Sequence, residues 1–525
     1  MIEAAIYGSH DATMCIQVEG ETAALSHFGG GARFYNFEFE RYFNDRFMKF
    51  PNEEGTMAEA YQYIADLLAE KHGIKKIDRM YWQLVSRKQR NLIKRIFKVD
   101  EFVWQPHHPS HAMGALMQSP FDEAIVFSVD GGGPDKEGSD VNSALKIFKC
   151  NRKGEYEIIA QYPWNLGIAY GMVGYPIAEI KKPVKHRLKS FLSMAGKVMG
   201  LSAYGENTRT RIDSAKQWMM QAYPMVRHER LMEMLAPVGE AGENAYDGSL
   251  SRCLASAIQA AFEEIMLDLV RRHAPPNYPI CLTGGCALNA VANERIRREH
   301  GNSIYVPPAP NDAGIPFGML CLNKTYEFPV DLRFSGYPIL DYEAKYNIQN
   351  NDYAELAADL FNGKMIGFIR GQLEHGPRAL GHRSILASPL QQRTRDDLNK
   401  LVKHREMFRP YAPVVRAKDA YKYFEFDHES PYMSFAPKIR SEHRDYLQAV
   451  CHVDGTARLQ TVTEEQDPFL WHLLGEFEKL SKYPILLNTS LNGKGKPIVA
   501  RVKDAQEIPW LHGIVAENNY IKKGE

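Results

Sequence analysis

Ala124-Ile125-Val126-Phe127-Ser128-Val129-Asp130-Gly131-Gly132-Gly133 is the stretch on which the fold class turns. Residues 124–129 are short, nearly all apolar and rich in branched and aromatic side chains, which reads as a buried strand. The strand runs into an acid and three glycines. Glycines at such a turn let a phosphate or a metal approach the backbone; the alternative is a plain strand-to-helix turn. Residues 279–283 form a second strand that enters Gly284-Gly285, and 303–306 a third. Residues 250–272 have the spacing of a long amphipathic helix, as do 56–72 through Met57, Ala60, Tyr61, Ile64, Leu67 and Leu68. Upstream, 4–7 and 15–18 read as a hairpin with polar residues at its tip. Downstream, a helix over 353–361 and a strand over 365–369 open a second unit after a looser stretch at 328–349. Strands and helices alternate throughout, so the class is α/β. The expected division is 1–340 and 345–525.

The whole chain sets bounds on function. It has 525 residues, 44% hydrophobic and 24% charged, with 64 Lys+Arg against 64 Asp+Glu. That is an ordinary globular composition without a global basic field for nucleic acid or anionic lipid. The Cys count is 7 and no CxxC pair occurs, so neither a disulfide scaffold nor a zinc ribbon is expected. Cys281 and Cys286 read as small buried thiols, compatible with a reducing cytoplasm. Residues 1–14 lack the charge and apolar run of a signal peptide, and no run approaches a spanning helix. The expected location is cytoplasmic, with no membrane partner.

Several motifs carry chemistry. His107 and His111 in His107-His108-Pro109-Ser110-His111 are four apart, and Pro109 fits only a first helical turn, so a helix starts here. Imidazoles at this spacing can meet on one metal; the alternative is a capped helix with solvent-facing histidines. Asp130 and Asp312 are acids at turns. Two His and two Asp suit Fe(II), Mn or Zn, although spacing alone does not make them converge. Thr283-Gly284-Gly285-Cys286-Ala287-Leu288-Asn289 offers backbone N–H groups at a helix start, where phosphate can bind, or simply close helix–strand packing. Residues 374–386, 403–410 and 487–492 supply the Arg and Lys forks, hydroxyls and amides that a polyphosphate or acyl-phosphate pocket needs; surface ion pairs are the alternative.

With these motifs in this order, the chain resembles the ATP-dependent O-carbamoyltransferases that modify antibiotics and nodulation factors. The resemblance covers nearly the whole length. It is carried by His-His-x-Ser-His-Ala at 107–112, Ser-Val-Asp-Gly at 128–131, Gly-Lys-Val-Met-Gly-Leu at 196–201, Gly-Gly-x-Ala-Leu-Asn at 284–289 and Asp-Ala-Gly at 312–314. Gly-Pro-Arg-Ala-Leu-Gly at 376–381, Arg-Glu-x-Phe-Arg-Pro at 405–410 and Leu-Asn-Thr-Ser at 487–490 complete it. It implies an N-terminal duplicated domain of the actin/hexokinase type (ASKHA), like the tRNA threonylcarbamoyl-transfer protein, and a C-terminal YrdC-like α/β domain. By the same resemblance the C-terminal domain makes carbamoyl-adenylate from ATP and carbamoyl phosphate, releasing pyrophosphate. The N-terminal domain then passes the carbamoyl group to an acceptor hydroxyl.

The implied site residues follow. His107, His111, Asp130 and Asp312 match the metal positions, for Fe(II) with Mn or Zn as alternatives; Mg accompanies ATP. Gly131, Gly132, Lys197, Gly284, Gly285 and Asn289 would hold the nucleotide. Arg378, Arg383, Lys403, Arg409, Asn488, Thr489 and Ser490 would hold carbamoyl phosphate and ATP. His10, oriented by Asp11, would take the acceptor's proton. Residues 38–51 follow the family pattern only loosely. Two basic clusters, at 87–98 and 181–189, lean the acceptor reading toward 5-hydroxymethylcytosine in DNA, reached by flipping or in single strands. A hydroxyl of a sugar or small natural product is the second reading. A non-catalytic nucleotide-binding protein is the third. A homodimer is compatible with the sequence, which does not give the oligomeric state.

Overall fold

The computed structural model describes residues 1–8, 12–19, 32–38, 54–138, 144–180, 187–221, 248–327, 329–341, 353–494 and 496–523. Its first sheet contains β1 (Glu3–Tyr7), β2 (Thr13–Glu19), β3 (Ala32–Glu38), β4 (Arg79–Gln83) and β5 (Glu101–Trp104), in the order β3-β2-β1-β4-β5. The second contains β6 (Glu123–Val129), β7 (Leu145–Asn151), β8 (Tyr156–Tyr162), β9 (Ile280–Thr283) and β10 (Ile304–Tyr305), in the order β8-β7-β6-β9-β10. In both, the first three strands in sequence are antiparallel and the last two add in parallel. One motif is thus used twice, in agreement with the expected duplication.

Nine helices matter in this half: α1 (Glu54–His72), α2 (Arg87–Phe97), α3 (His107–Gln118), α4 (Leu166–Met172), α5 (Arg187–Ser202), α6 (Arg209–Met219), α7 (Gly248–His273), α8 (Ala290–His300) and α9 (Ile315–Cys321). Every residue of α3 is buried. With α9 it fills the space between the sheets, where Met113, Leu116, Phe317 and Leu320 share a core with Tyr7, Phe148 and Cys281. The two helices touch backbone to backbone: a Cβ on Gly318 would lie 1.8 Å from the Ser110 carbonyl oxygen. Pro109 sits in the first turn of α3, where its missing N–H costs nothing. The N–H groups of His107 and His108 are taken up by the Pro134 carbonyl (3.1 Å) and the Asp135 carboxylate (2.8 Å). The imidazoles of α3 therefore enter the core from a helix whose free donors are satisfied.

The third sheet, with seven strands, has the order β14-β13-β15-β12-β11-β16-β17. Its strands are β11 (Ile366–Ile369), β12 (Arg383–Ala387), β13 (Ala412–Arg416), β14 (Gln460–Val462), β15 (Ile485–Ser490), β16 (Gly513–Ala516) and β17 (Asn519–Lys522). The helices α10 (Tyr353–Phe361) and α11 (Pro468–Ser481) cover one face through Leu356, Leu360, Leu473 and Phe477. The stretch read as a loose link is, over 329–341, a strap tied to both parts of the molecule, with Val330 bonded to the Met117 carbonyl at 2.9 Å. Leu332 and Tyr337 are buried, and backbone bonds join Gly336 to Leu373 (3.0 Å), Leu373 to Tyr337 (2.7 Å) and Leu340 to Ala500 (3.1 Å). Its polar and Pro/Gly composition hid this, because backbone pairing needs no sequence signal. Among the described residues no helix is long and apolar enough to cross a membrane.

Candidate metal centre and cation cluster

Four buried donors meet where the two small sheets face each other. One ligand atom each from His107, His111, Asp130 and Asp312 lies within 4.8 Å of the others. His107 Nε2 is 3.1 Å from Asp130 Oδ2 and 3.8 Å from Asp312 Oδ1; His111 Nε2 is 3.4 Å from Asp312 Oδ1. The positions follow from strand order. Tyr7 and Gln83 are register partners at the ends of β1 and β4, Asp130 follows β6, and the turn after β9 carries Gly284-Gly285.

The neighbours orient this cluster. Gln83 Nε2 donates to the carbonyls of Gln105 (2.8 Å) and Pro134 (3.3 Å), so its oxygen faces His107 Nδ1 at 2.8 Å. His107 must then donate from Nδ1, which turns Nε2 toward the carboxylates. Tyr7 donates its hydroxyl to Asp312 Oδ2 at 2.5 Å. The N–H groups of Gly285 (2.9 Å) and Gly132 (3.3 Å) hold Asp130. Burial opposes charge on His107, yet Asp130 and Asp312 outweigh it and raise its pKa. Burial likewise opposes the Asp130 carboxylate, and His107, His111 and the Gly285 N–H hold it well below the ordinary range. The site is built for a positive charge at its centre.

The donor chemistry fits a divalent metal. Two imidazoles and two carboxylates are a borderline-hard set. Among the described residues the buried Nε2 of His111 has no hydrogen-bond partner. Such an atom is costly to leave bare, and a metal would satisfy it. Gln83 and Tyr7 would be the outer partners that metal ligands usually require. Neither was singled out in the sequence, because pairing across parallel strands leaves no local motif.

The glycines serve this centre more directly than expected. A Cβ on Gly133 would fall 2.1 Å from the His107 ring, and one on Gly284, whose φ is +84°, would fall 2.2 Å from the Val129 carbonyl oxygen. The Gly284-Gly285 turn thus brings an N–H onto Asp130. Asn289 caps α8 through Ala292 N (3.1 Å) and exchanges hydrogen bonds with Gln259. A Gly133→Ala variant must displace His107; we expect metal affinity to fall about 10–100-fold, as when an outer partner is lost, read by metal retention against a chelator series. Unchanged retention would show that the ring has room to move.

In the second unit, Glu374 accepts N–H bonds from Leu380 (2.7 Å), His382 (3.0 Å) and Arg383 (3.0 Å) with one oxygen, and so folds the 376–383 loop that presents Arg378. Arg378, Arg405, Arg409 and Lys403 gather with Arg458 into one cation cluster. Burial, then neighbouring cations, lowers Arg378 to about 10, and burial with Arg409 among the neighbours lowers Arg405 to about 10. Burial and the adjacent cations also hold Lys403 and Arg458 well below their ordinary values. Glu406, 3.7 Å from Arg409, is the carboxylate at hand. Among the described residues none of Arg378, Arg405, Arg458 and Lys403 has an ion-pair partner, and Arg458 Nε is buried without a partner. Buried cations without counter-charge are strongly unfavourable alone, and this crowding is what an anion relieves.

Lys403 Nζ lies against Ser490, and against Asn492 O (3.0 Å) and Oδ1 (2.6 Å). The structure thereby joins Lys403 to Ser490 on β15, with Thr489 next to it. Asn488 bonds Gln460 (2.7 Å) and the Ala379 carbonyl (3.1 Å), so it braces the Arg378 loop. Arg383 is placed otherwise than as a phosphate clamp. It is fully buried and donates to the carbonyls of Gly371 (3.0 Å), His382 (3.1 Å) and Arg370, holding its own loop. Lys197 pairs with Glu406 at 3.0 Å. Arg458 was missed in the sequence; it lies two residues before β14, the edge partner of β13, with no motif around it. His10, Asp11 and 181–186 lie outside the described residues. The basic run at 87–98 is the solvent side of α2, whose Leu92, Ile93 and Phe97 are buried, while Arg90 stacks 3.7 Å over Trp82.

Two family models match the chain. Residues 38–321 match the carbamoyltransferase N-terminus and 357–519 the carbamoyltransferase C-terminus. The chain therefore belongs to the carbamoyltransferase family. It is a carbamoyltransferase, an enzyme that transfers carbamoyl groups. Nodulation protein NolO of Bradyrhizobium diazoefficiens is 32% identical over 438 residues, covering 76% of this chain and 75% of its own. The 3'-hydroxymethylcephem-O-carbamoyltransferase of Streptomyces clavuligerus is 33% identical over 339 residues, 60% of this chain and 62% of its own. Among solved structures, full-length HypF in its phosphate- and nucleotide-bound form aligns with 61% of this chain and 55% of its own, at 15% identity and a TM-score of 0.34.

Proposed function

We propose that the protein is an ATP-dependent O-carbamoyltransferase working through carbamoyl-adenylate, with activation in 345–525 and transfer in 1–340. The observation that carries this reading is the pairing, in one chain, of a buried His/Asp centre with a cation cluster short of counter-charge. Carbamoyl phosphate loses its phosphoryl group to water. A carbamate oxygen then attacks the α-phosphorus of ATP, and the bond to pyrophosphate breaks. Arg378, Arg409, Lys403, Thr489 and Ser490 hold the anions, with Arg405 and Arg458 added by the fold. The acceptor oxygen next attacks the carbamoyl carbon, its proton passes to His10, and AMP leaves. His107, His111, Asp130 and Asp312 would hold a divalent metal, Fe(II) by donor type, which supplies positive charge against the adenylate phosphate. Gly131, Gly132, Gly284 and Gly285 leave the backbone open to the nucleotide beside it.

The proposed acceptor is the hydroxyl of 5-hydroxymethylcytosine in DNA, supported by the exposed cations of α2. The relative named for a hydroxymethylcephem supports the second reading, a small-molecule hydroxyl. Mass spectrometry after incubation with ATP, carbamoyl phosphate, Fe(II) and hydroxymethylcytosine DNA separates them. Gain of one carbamoyl group on the nucleoside is the expected result. AMP with unmodified DNA would move the acceptor to small molecules, and no AMP from folded, metal-loaded protein would remove the adenylate route.

A further inference from the structure

Among the described residues the two halves meet along a broad front that includes Gly376 against Pro308, Tyr432 against Tyr305 and Arg333 bonded to His375; two further contacts matter here. Along α8, Asn293 donates to the Ser434 carbonyl at 3.0 Å and Arg297 pairs with Asp427 at 2.7 Å; nearby, His428 reaches the Ile304 carbonyl at 3.2 Å. At α5, Lys197 meets Glu406 at 3.0 Å, with the two side chains 14% and 4% exposed. This pair sits between the two clusters. Glu406 is also the carboxylate facing Arg409. On the other side, α5 packs on α4, and α4 packs on the turn beside Asp130: a Cβ on Gly174 would meet Met194 at 2.7 Å, and one on Gly167 would lie 3.4 Å from Gly131 N. Asn165, which caps α4, donates to the Gly131 carbonyl at 2.7 Å. Gly200 of α5 faces Phe408 and Pro410.

A buried ion pair is a poor source of net stability, because its desolvation offsets its attraction; its best-attested use is to fix one register. Here the register is that of two sites which, on the function proposed above, must hand over a water-sensitive mixed anhydride. We infer that Lys197 and Glu406 form a clasp that keeps the interface between the halves closed over carbamoyl-adenylate until an acceptor takes the carbamoyl group. Glu406 is a positioning residue on this view: it acts through Lys197 and Arg409. The α8 contacts, with Gly376 against Pro308 and Tyr432 against Tyr305, keep the halves joined without the clasp. When the clasp opens, water adds to the carbamoyl carbon, the bond from that carbon to the phosphate oxygen breaks, and AMP leaves with carbamate, which decays to carbon dioxide and ammonia.

The experiment needs no acceptor. Full-length, metal-loaded protein is mixed with ATP and carbamoyl phosphate, and pyrophosphate and free AMP are followed in time. The wild type is expected to form about one equivalent of pyrophosphate per chain and then stall, with the adenylate retained. Glu406→Gln is expected to show the same first equivalent and then to release AMP at least tenfold faster than wild type. Lys197→Met should also release AMP at least tenfold faster per pyrophosphate formed, whatever the size of its first equivalent, and the double variant should be no faster by that ratio than Glu406→Gln, because coupled partners are not additive. Lys197→Arg, which keeps the charge, should restore the stall and shows that loss of fold is not the cause. Wild type without pyrophosphate would refute the adenylate reading itself. A wild type that stalls together with variants that stall equally, or a wild type that never stalls, would overturn the clasp alone.

Discussion

Replacing His107 with alanine is expected to strip the protein of bound metal and to lower carbamoyl transfer by about 10³-fold or more, equivalent to about 4 kcal/mol of transition-state stabilisation. His107 is the hub of the centre. Its Nε2 lies 3.1 Å from Asp130 and 3.8 Å from Asp312, and its ring packs 4.8 Å from that of His111. Without it three donors remain, two of them carboxylates whose charge is then poorly balanced. The side chain is fully buried, so the loss also opens a cavity. His107→Gln keeps much of the volume and an amide in place of the imidazole. It separates a packing defect from a ligand defect: both variants should purify with less metal by elemental analysis, whatever their activity. A His107→Ala protein that holds metal at the wild-type level would take this residue out of the centre. Folded protein with full metal and no activity would assign it to chemistry instead.

Much of this was legible before the fold was seen, and the limit is physical. The strand ending at Asp130 and the helix starting at His107 are local patterns of apolarity and proline position, and both stand as read. The approach of Asp130 to Asp312 depends on the central strand β6 and the turn before α9 ending at one place, which no spacing encodes. Tyr7 and Gln83 show the same thing more sharply. They are 76 positions apart, yet adjacent in register, and each holds one ligand. The glycine runs read as phosphate cradles; Gly133 and Gly284 also make room, one for an imidazole and one for a strand end, which no sequence pattern announces. Arginines were the least legible. Arg383 and Arg378 lie five residues apart in one motif, but β-strand alternation and the Glu374-bound loop send the first into backbone carbonyls and leave the second without a carboxylate.

Arg458→Met is expected to move stability and function in opposite directions. Arg458 is a cation in unfavourable surroundings. Burial, then Arg378, Arg405 and Arg409, depress its pKa well below the ordinary value, and its Nε has no partner. Methionine has a similar reach and no charge, so it removes repulsion and desolvation together; replacing even a paired buried charge and its partner by apolar side chains often stabilises by about 1–4 kcal/mol, and here no carboxylate is left behind. The ligand-free variant should therefore melt above the wild type. In exchange it should lose affinity for polyanions. Formation of pyrophosphate from ATP and carbamoyl phosphate should fall about 10²-fold, since hydrogen bonds to charged groups contribute about 1.5–3 kcal/mol each. Thermal melts with and without added pyrophosphate make both effects visible in one assay. Wild type should gain stability from the anion, by about 2.7 kcal/mol at a hundred times the dissociation constant, and the variant should gain much less. A variant less stable than wild type without ligand, yet equally stabilised by pyrophosphate, would mean that Arg458 supports the fold and takes no part in holding the anion. The opposite signs follow from one cause: a site shaped for several phosphate charges carries too much positive charge when it stands alone, and the substrate supplies what the protein withholds.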